Sequence, residues 1–133
     1  MTDVFLDTVG IIAIWDEADQ WHDPADATYR RLLVEGRRLV TTTAVLYECG
    51  NAAARRQYRP RVNALRRLLT QERLLIDPTS EDVERAWAAY DGGRPGDPGI
   101  VDHVSFVVMH RLGIQDAFTN DEHFATAGFT SLF

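Results

Sequence analysis

Short apolar runs alternate along this chain with longer segments of helical period, and that alternation excludes most folds open to 133 residues. Val4-Phe5-Leu6 is a strand-like run that ends on Asp7. Residues 10–15 read as a short, mostly apolar helix, and the acidic residues 16–26 as a solvated loop. Residues 26–35 place Tyr29, Leu32 and Leu33 on one helical face before Gly36 stops them, and residues 38–41 supply a second strand. Thr41, Thr42 and Thr43 offer N-caps to a helix over about residues 44–56, which Pro60 separates from another carrying Val62, Leu65, Leu68 and Leu69. Residues 74–76 form a third strand. Ser80 caps a helix whose buried stripe is Val83, Ala86, Trp87 and Tyr90. The turn-rich residues 92–99 form a loop, and residues 100–112, apolar nearly all round, form a central buried helix. Residues 116–119 are a fourth strand and residues 128–133 a fifth. Strands alternating with helices argue for an α/β domain with a mostly parallel sheet, residues 1–133 forming one domain.

Composition narrows the functional classes. The chain is 45% hydrophobic and 26% charged, an ordinary globular balance, and no apolar run approaches the ~20 residues needed to cross a bilayer. The opening MTDVFLDTVG carries acid where an export signal needs basic residues, and Cys49 is the only cysteine, so a reducing cytoplasmic setting is expected. A net charge of −6 argues against a nucleic-acid ligand until its distribution is considered. Seven arginines (Arg55, Arg56, Arg59, Arg61, Arg66, Arg67, Arg73) stand against the single acid Glu72 between Asn51 and Arg73. That segment reads either as a guide for phosphates, with Tyr58 for base stacking, or as the solvated face of two helices.

Four carboxylates lie where a parallel sheet gathers its ligands, at the C-terminal ends of its strands. Asp7 ends the first strand, Asp121 follows the fourth, Asp102 opens the central helix, and Glu48 sits about one turn into the helix after the second. Hard divalent cations prefer oxygen ligands, and crowding acids is costly unless a cation offsets their repulsion. Yet Asp7, Asp102 and Asp121 also stand near helix N-termini, where an aspartate serves as a cap. Residue spacing alone leaves both explanations open.

Read together, the local motifs go further. Val4-Phe5-Leu6-Asp7-Thr8-Val9-Gly10-Ile11-Ile12-Ala13 resembles the opening of PIN domains, above all the VapC-type toxins of prokaryotic toxin–antitoxin pairs. Thr43-Ala44-Val45-Leu46-Tyr47-Glu48 is similar to their second motif, and Ile100-Val101-Asp102-His103 with the apolar residues after it to the third. Asp116-Ala117-Phe118-Thr119-Asn120-Asp121-Glu122-His123-Phe124 resembles their C-terminal signature. The resemblance spans essentially the whole chain. It implies a three-layer α/β/α fold with strand order 3-2-1-4-5, and endonucleolytic RNA cleavage by metal-activated water with Mg²⁺ or Mn²⁺. Asp7, Glu48 and Asp102 match the core acidic triad, and Asp121 the variable fourth acid, preferred over Asp116 because it follows its strand. Thr8, Thr119 and Asn120 fall where the family keeps supporting polar groups. Arg55, Arg56, Tyr58, Arg59 and Arg66 are the candidate RNA contacts. One departure is Gly99, which stands where family members often carry a Ser or Thr cap.

The resemblance also implies partners: an RNA substrate, a small antitoxin whose tail blocks the site, and a second copy in a homodimer. The apolar patch Ile11, Ile12, Ile14 and Trp15 fits such an interface or ordinary core. Trp21 and Trp87 are expected in core or interface, Cys49 as a buried apolar residue, and His123 in capping or packing more than in substrate contact. An RNA-processing PIN nuclease without antitoxin and a non-cleaving RNA- or protein-binding module are the competing readings.

Overall fold

Five strands pair in parallel throughout, in the order β3-β2-β1-β4-β5, as seen in a computed structural model that describes residues 2–133. They are β1 (Asp3–Leu6), β2 (Arg38–Thr42), β3 (Leu75–Ile76), β4 (Asp116–Phe118) and β5 (Thr130–Ser131). Among the described residues seven helices connect them: α1 (Thr8–Trp15), α2 (His22–Val34), α3 (Thr43–Ala53), α4 (Arg59–Gln71), α5 (Ser80–Asp91), α6 (Ile100–Leu112) and α7 (Glu122–Thr126). The result is the expected three-layer α/β/α arrangement. A strand covered by helices on both faces must be apolar throughout, and Val4 and Phe5 of the central β1 are fully buried. No helix among the described residues is long and apolar enough to cross a membrane.

Local chemistry moves some boundaries. Helix α2 starts at His22, four residues before the expected start at Asp26, with Pro24 in its first turn, where a missing N–H costs no hydrogen bond. Thr79, one residue ahead of the expected cap Ser80, is the N-cap of α5: its hydroxyl accepts from Asp82 N at 3.0 Å while Asp82 Oδ2 accepts from Thr79 N at 2.9 Å. That carboxylate is buried and also takes three bonds from Arg111 of α6, Nε to Oδ1 at 2.9 Å and to Oδ2 at 3.2 Å, and Nη2 to Oδ2 at 2.7 Å. Arg111, then the Thr79 backbone, hold the Asp82 carboxyl below its ordinary value against the opposing effect of burial. The clasp secures α5 against α6, the helix that carries Asp102.

The expected stripe of α5 is only partly inward. Ala86 is fully buried, whereas Trp87 and Tyr90 stack edge to face with their ring centroids 5.5 Å apart and remain exposed. Trp21 is exposed as well, and Ile11 belongs to the core rather than to a surface patch. Ile14 and Trp15, with Ile11 beneath them, border an apolar groove of about 410 Å³ with Tyr29, Leu33, Leu65 and Leu68.

Helix α1 lies directly on β4. A Cβ added at Gly10 meets Phe118 O at 2.1 Å and the Phe118 ring at 2.5 Å, and backbone cannot yield as a side-chain tip can. Gly10→Ala is expected to destabilise the protein by about 2–3 kcal/mol, the upper part of the range for overpacked cores, despite alanine's better helix propensity. Urea denaturation measures this; an unchanged midpoint would show that α1 packs more loosely on β4.

Candidate metal centre

β1 and β4 are neighbours with Leu6 level with Phe118, so Asp7 and Thr119 leave the sheet side by side at its C-terminal edge. From the opposite neighbour, β2, the buried Thr41 hydroxyl donates to Leu6 O at 2.6 Å and fixes the peptide just before Asp7. Asp7 occupies the N-cap position of α1, yet its side chain makes no capping bond. The Thr119 hydroxyl donates to Asp7 Oδ2 at 2.8 Å instead, and the Thr119 Oγ1 itself accepts from Asp121 N at 3.0 Å. One threonine thereby sets the position of two carboxylates.

The capping explanation fails for Asp102 too. The N-cap of α6 is Gly99, with no side-chain bond, and Asp102 stands at the third helical position. Asp121 alone of the three is a cap, its Oδ1 accepting from His123 N at 2.9 Å at the start of α7. Asp116, the rival for the fourth place, lies at the opposite end of β4 and pairs with Arg37 at 2.7 Å. Glu48 is half-buried on α3, whose N-cap Thr42 accepts from Val45 N at 3.2 Å.

Burial and mutual repulsion govern the electrostatics. Asp7 is 1% exposed, and desolvation drives its pKa up to about 7; the Thr119 hydrogen bond opposes the rise, and the charges of Asp102, Glu48 and Asp121 add to it. Desolvation, then Asp121 and Glu48, raise Asp102 to about 6, with His123 the one opposing influence. Burial pushes the Cys49 thiol up to about 12, which leaves it protonated and without a nucleophilic role at neutral pH.

A histidine joins two of the expected acids. Asp102, Asp121 and His123 each present one ligand atom with all three within 4.8 Å of one another. Glu48 reaches this set through its field, and Asp7 through the Thr119 hydroxyl that also holds the Asp121 backbone. His123, expected in capping or packing more than in substrate contact, stands beside both acids, its Nδ1 3.3 Å from Asp121 Oδ1 and 3.7 Å from Asp102 Oδ2. Its position two residues after Asp121 was the available signal, since a short helix turns that side chain back toward its own N-terminus. Its Nε2 lies 3.1 Å from Gly96 O and so ties the turn-rich loop to the site. Thr8 Oγ1 is buried without a hydrogen-bond partner, and Asn120 is half-buried between Thr119 and Asp121.

The basic residues lie apart from the carboxylates. Arg55, Arg56 and Tyr58 line a cleft of about 620 Å³ with Trp15, beyond the C-terminal end of α3. Arg56 approaches Asp16 at 3.8 Å, and Tyr58 packs its ring 6.1 Å from that of Trp15. Asp7 and Asp16 flank α1 at opposite ends, about 13 Å apart at helical rise. Arg59 and Arg66 border a separate groove of about 650 Å³ between α3 and α4, with Tyr47 at its edge. Tyr47, next to Glu48, is 73% exposed.

Several hard oxygen donors whose protonation is raised by their own repulsion suit a divalent cation, because a cation removes the repulsion that makes the cluster costly. The family profile described as "PIN domain" matches residues 4–130. No curated protein matches the sequence significantly. Among solved structures the chain is similar to Mycobacterium tuberculosis VapC20, described as a sarcin–ricin-loop-cleaving toxin, with 26% identity, a TM-score of 0.77 and 96% of each chain covered. The family profile runs from β1 into β5 and takes in every carboxylate of the cluster, and the chain therefore belongs to the PIN-domain family.

Proposed function

We propose that the chain is a divalent-cation-dependent endoribonuclease, a single PIN nuclease domain acting in the cytoplasm as the toxin of a VapC-type toxin–antitoxin pair. The observation that carries this reading is the buried Asp7, held by Thr119 rather than used as a helix cap, beside Asp102, Asp121 and Glu48. Asp7, Glu48, Asp102 and Asp121 hold Mg²⁺ or Mn²⁺. When bound, the cation supplies Lewis-acid activation of water and neutralises charge that builds on the scissile phosphate. The chain's own residues do the rest. Thr119 keeps Asp7 and the Asp121 backbone in register, Thr8 and Asn120 complete the polar surround, and the sheet edge keeps the acids converged.

Single-stranded or structured RNA is the substrate class, in keeping with the likeness to VapC20. Arg59 and Arg66 in the α3–α4 groove meet its phosphates, with Tyr47 exposed for stacking; Arg55, Arg56 and Tyr58 extend the contact farther from the carboxylates. An antitoxin segment and a second copy of the chain complete the set of partners, the groove beside Ile14 and Trp15 being the apolar surface available to either.

The test is cleavage of RNA oligonucleotides with Mg²⁺ or Mn²⁺, comparing wild type with Asp102→Asn. Wild type is expected to cut, EDTA to stop it, and Asp102→Asn to lower the rate by on the order of 10²–10³, as for loss of a group that stabilises transition-state charge. RNA that binds but stays intact in every sample would favour the non-cleaving module.

A further inference from the structure

We propose that His123 is a nitrogen ligand of the cation held by Asp102 and Asp121, and that it biases this centre toward Mn²⁺ over Mg²⁺. The inference rests on the reading of the carboxylate cluster as a cation site.

The imidazole is held at both nitrogens. Nε2 faces Gly96 O at 3.1 Å, and a carbonyl can only accept, so Nε2 carries the proton. In the neutral ring Nδ1 then keeps its lone pair. That lone pair faces two carboxylate oxygens, at 3.3 Å on Asp121 and 3.7 Å on Asp102. Three acceptors pointed at one another repel unless something positive lies among them. Ligating histidines usually donate their other N–H to a carbonyl or carboxylate, which fixes tautomer and ring orientation, and Gly96 has that place here.

The choice of metal follows from donor type. Oxygen-only sites suit Mg²⁺ and Mn²⁺ alike, whereas an imidazole nitrogen favours transition ions. The turn at residues 92–99 thereby enters metal selection without contacting the metal, because it aims the ring.

The rival arrangement is a protonated His123 acting as a fixed counter-charge, and it predicts the opposite sign. A histidinium competes with the cation, so its removal tightens binding of both ions. Mn²⁺ binding is to be measured by electron paramagnetic resonance and Mg²⁺ by competition, on wild type, His123→Gln and Asp102→Asn at pH 8. With His123 as ligand, His123→Gln loses about tenfold in Mn²⁺ affinity, Mg²⁺ affinity changes little, and the Mn²⁺/Mg²⁺ ratio falls. Electron spin-echo modulation of Mn²⁺-loaded wild type shows coupling to a directly bound ¹⁴N, shifted to ¹⁵N by labelled histidine and absent in His123→Gln. The wild-type spectrum needs no variant to fold. Absent nitrogen coupling, or binding tightened or unchanged by His123→Gln, would overturn the inference. Asp102→Asn separates the two levels: Mn²⁺ binding undiminished in that variant sinks the cation-site reading itself, while binding weakened there but not in His123→Gln sinks only the role of His123.

Discussion

Asp7→Asn is expected to stabilise the metal-free protein at pH 8 while removing the proposed RNA-cleaving activity. Asp7 is 1% exposed, and desolvation, with the neighbouring acids adding to it, carries its pKa from 3.8 to about 7. An acid whose pKa is raised by folding binds its proton more tightly in the folded state. Below 3.8 both states are protonated and folding bears no charge cost; above about 7 both are ionised and the cost is complete. A rise of that size is on the order of 4 kcal/mol. Asparagine keeps an oxygen to accept from Thr119 and carries no charge, but its amide N–H₂ loses up to about 3 kcal/mol if left unpartnered. The net expectation is a gain of about 1–3 kcal/mol, read from urea denaturation in EDTA at pH 8. Cleavage in the same variant falls by on the order of 10²–10³. A variant less stable than wild type under those conditions would mean that Asp7 is not ionised at a cost in the folded protein. The pairing of higher stability with lost function is what distinguishes a strained functional acid from a structural one.

The fall in stability with rising pH is expected to disappear when a saturating divalent cation is added, because the bound carboxylates then carry no proton in the folded or the unfolded protein. In EDTA, lowering the pH from 8 relieves first Asp7 near 7 and then Asp102 near 6, so stability rises as each takes up its proton. The rise ends near the unfolded carboxyl values. Asp82 acts in the opposite sense, because Arg111 holds its pKa down and its contribution is lost as pH falls through the acid range. The metal-free protein is therefore expected to be most stable between about pH 4 and 6. With Mn²⁺ present the same protons compete with the cation. Affinity then grows as pH rises through 6 to 7, and the stabilisation that ligand binding contributes grows with it. Melting temperatures at pH 5 to 8, with EDTA and with Mn²⁺, measure both slopes. Calorimetry in buffers of different ionisation enthalpy counts the protons released on binding. Parallel curves with and without Mn²⁺ would remove the cation from the carboxylate cluster.

The parts legible in the sequence were those set by short-range pattern. Val4-Phe5-Leu6 and Leu39-Val40 are apolar because their strands are covered on both faces, and the alternation of strands and helices led to a parallel sheet. The strand order came with the family resemblance, not with the periodicity. Helix starts were less legible: Thr79 and Ser80 are both good caps, and the reciprocal bond from Asp82 favours Thr79. Trp87 and Tyr90 show the same limit, since helical spacing marks a face but not whether another element covers it. The contact between His123 and Gly96 was not legible, because Gly96 lies in a loop whose path no periodicity describes.

The chain order of Asp7, Glu48, Asp102 and Asp121 follows from sequence alone, and parallel strands carry three of them toward one sheet edge. Whether an aspartate at a helix start caps that helix or serves a site was decided only in three dimensions. Thr119, 112 residues from Asp7, takes up its carboxylate, while Asp121 satisfies its own backbone nearby. Capping is a bond between close neighbours in the chain, and sequence displays its candidates. Desolvation and the repulsion of distant acids belong to the assembled fold, and they alone turn Asp7 from a cap-like residue into a strained carboxylate.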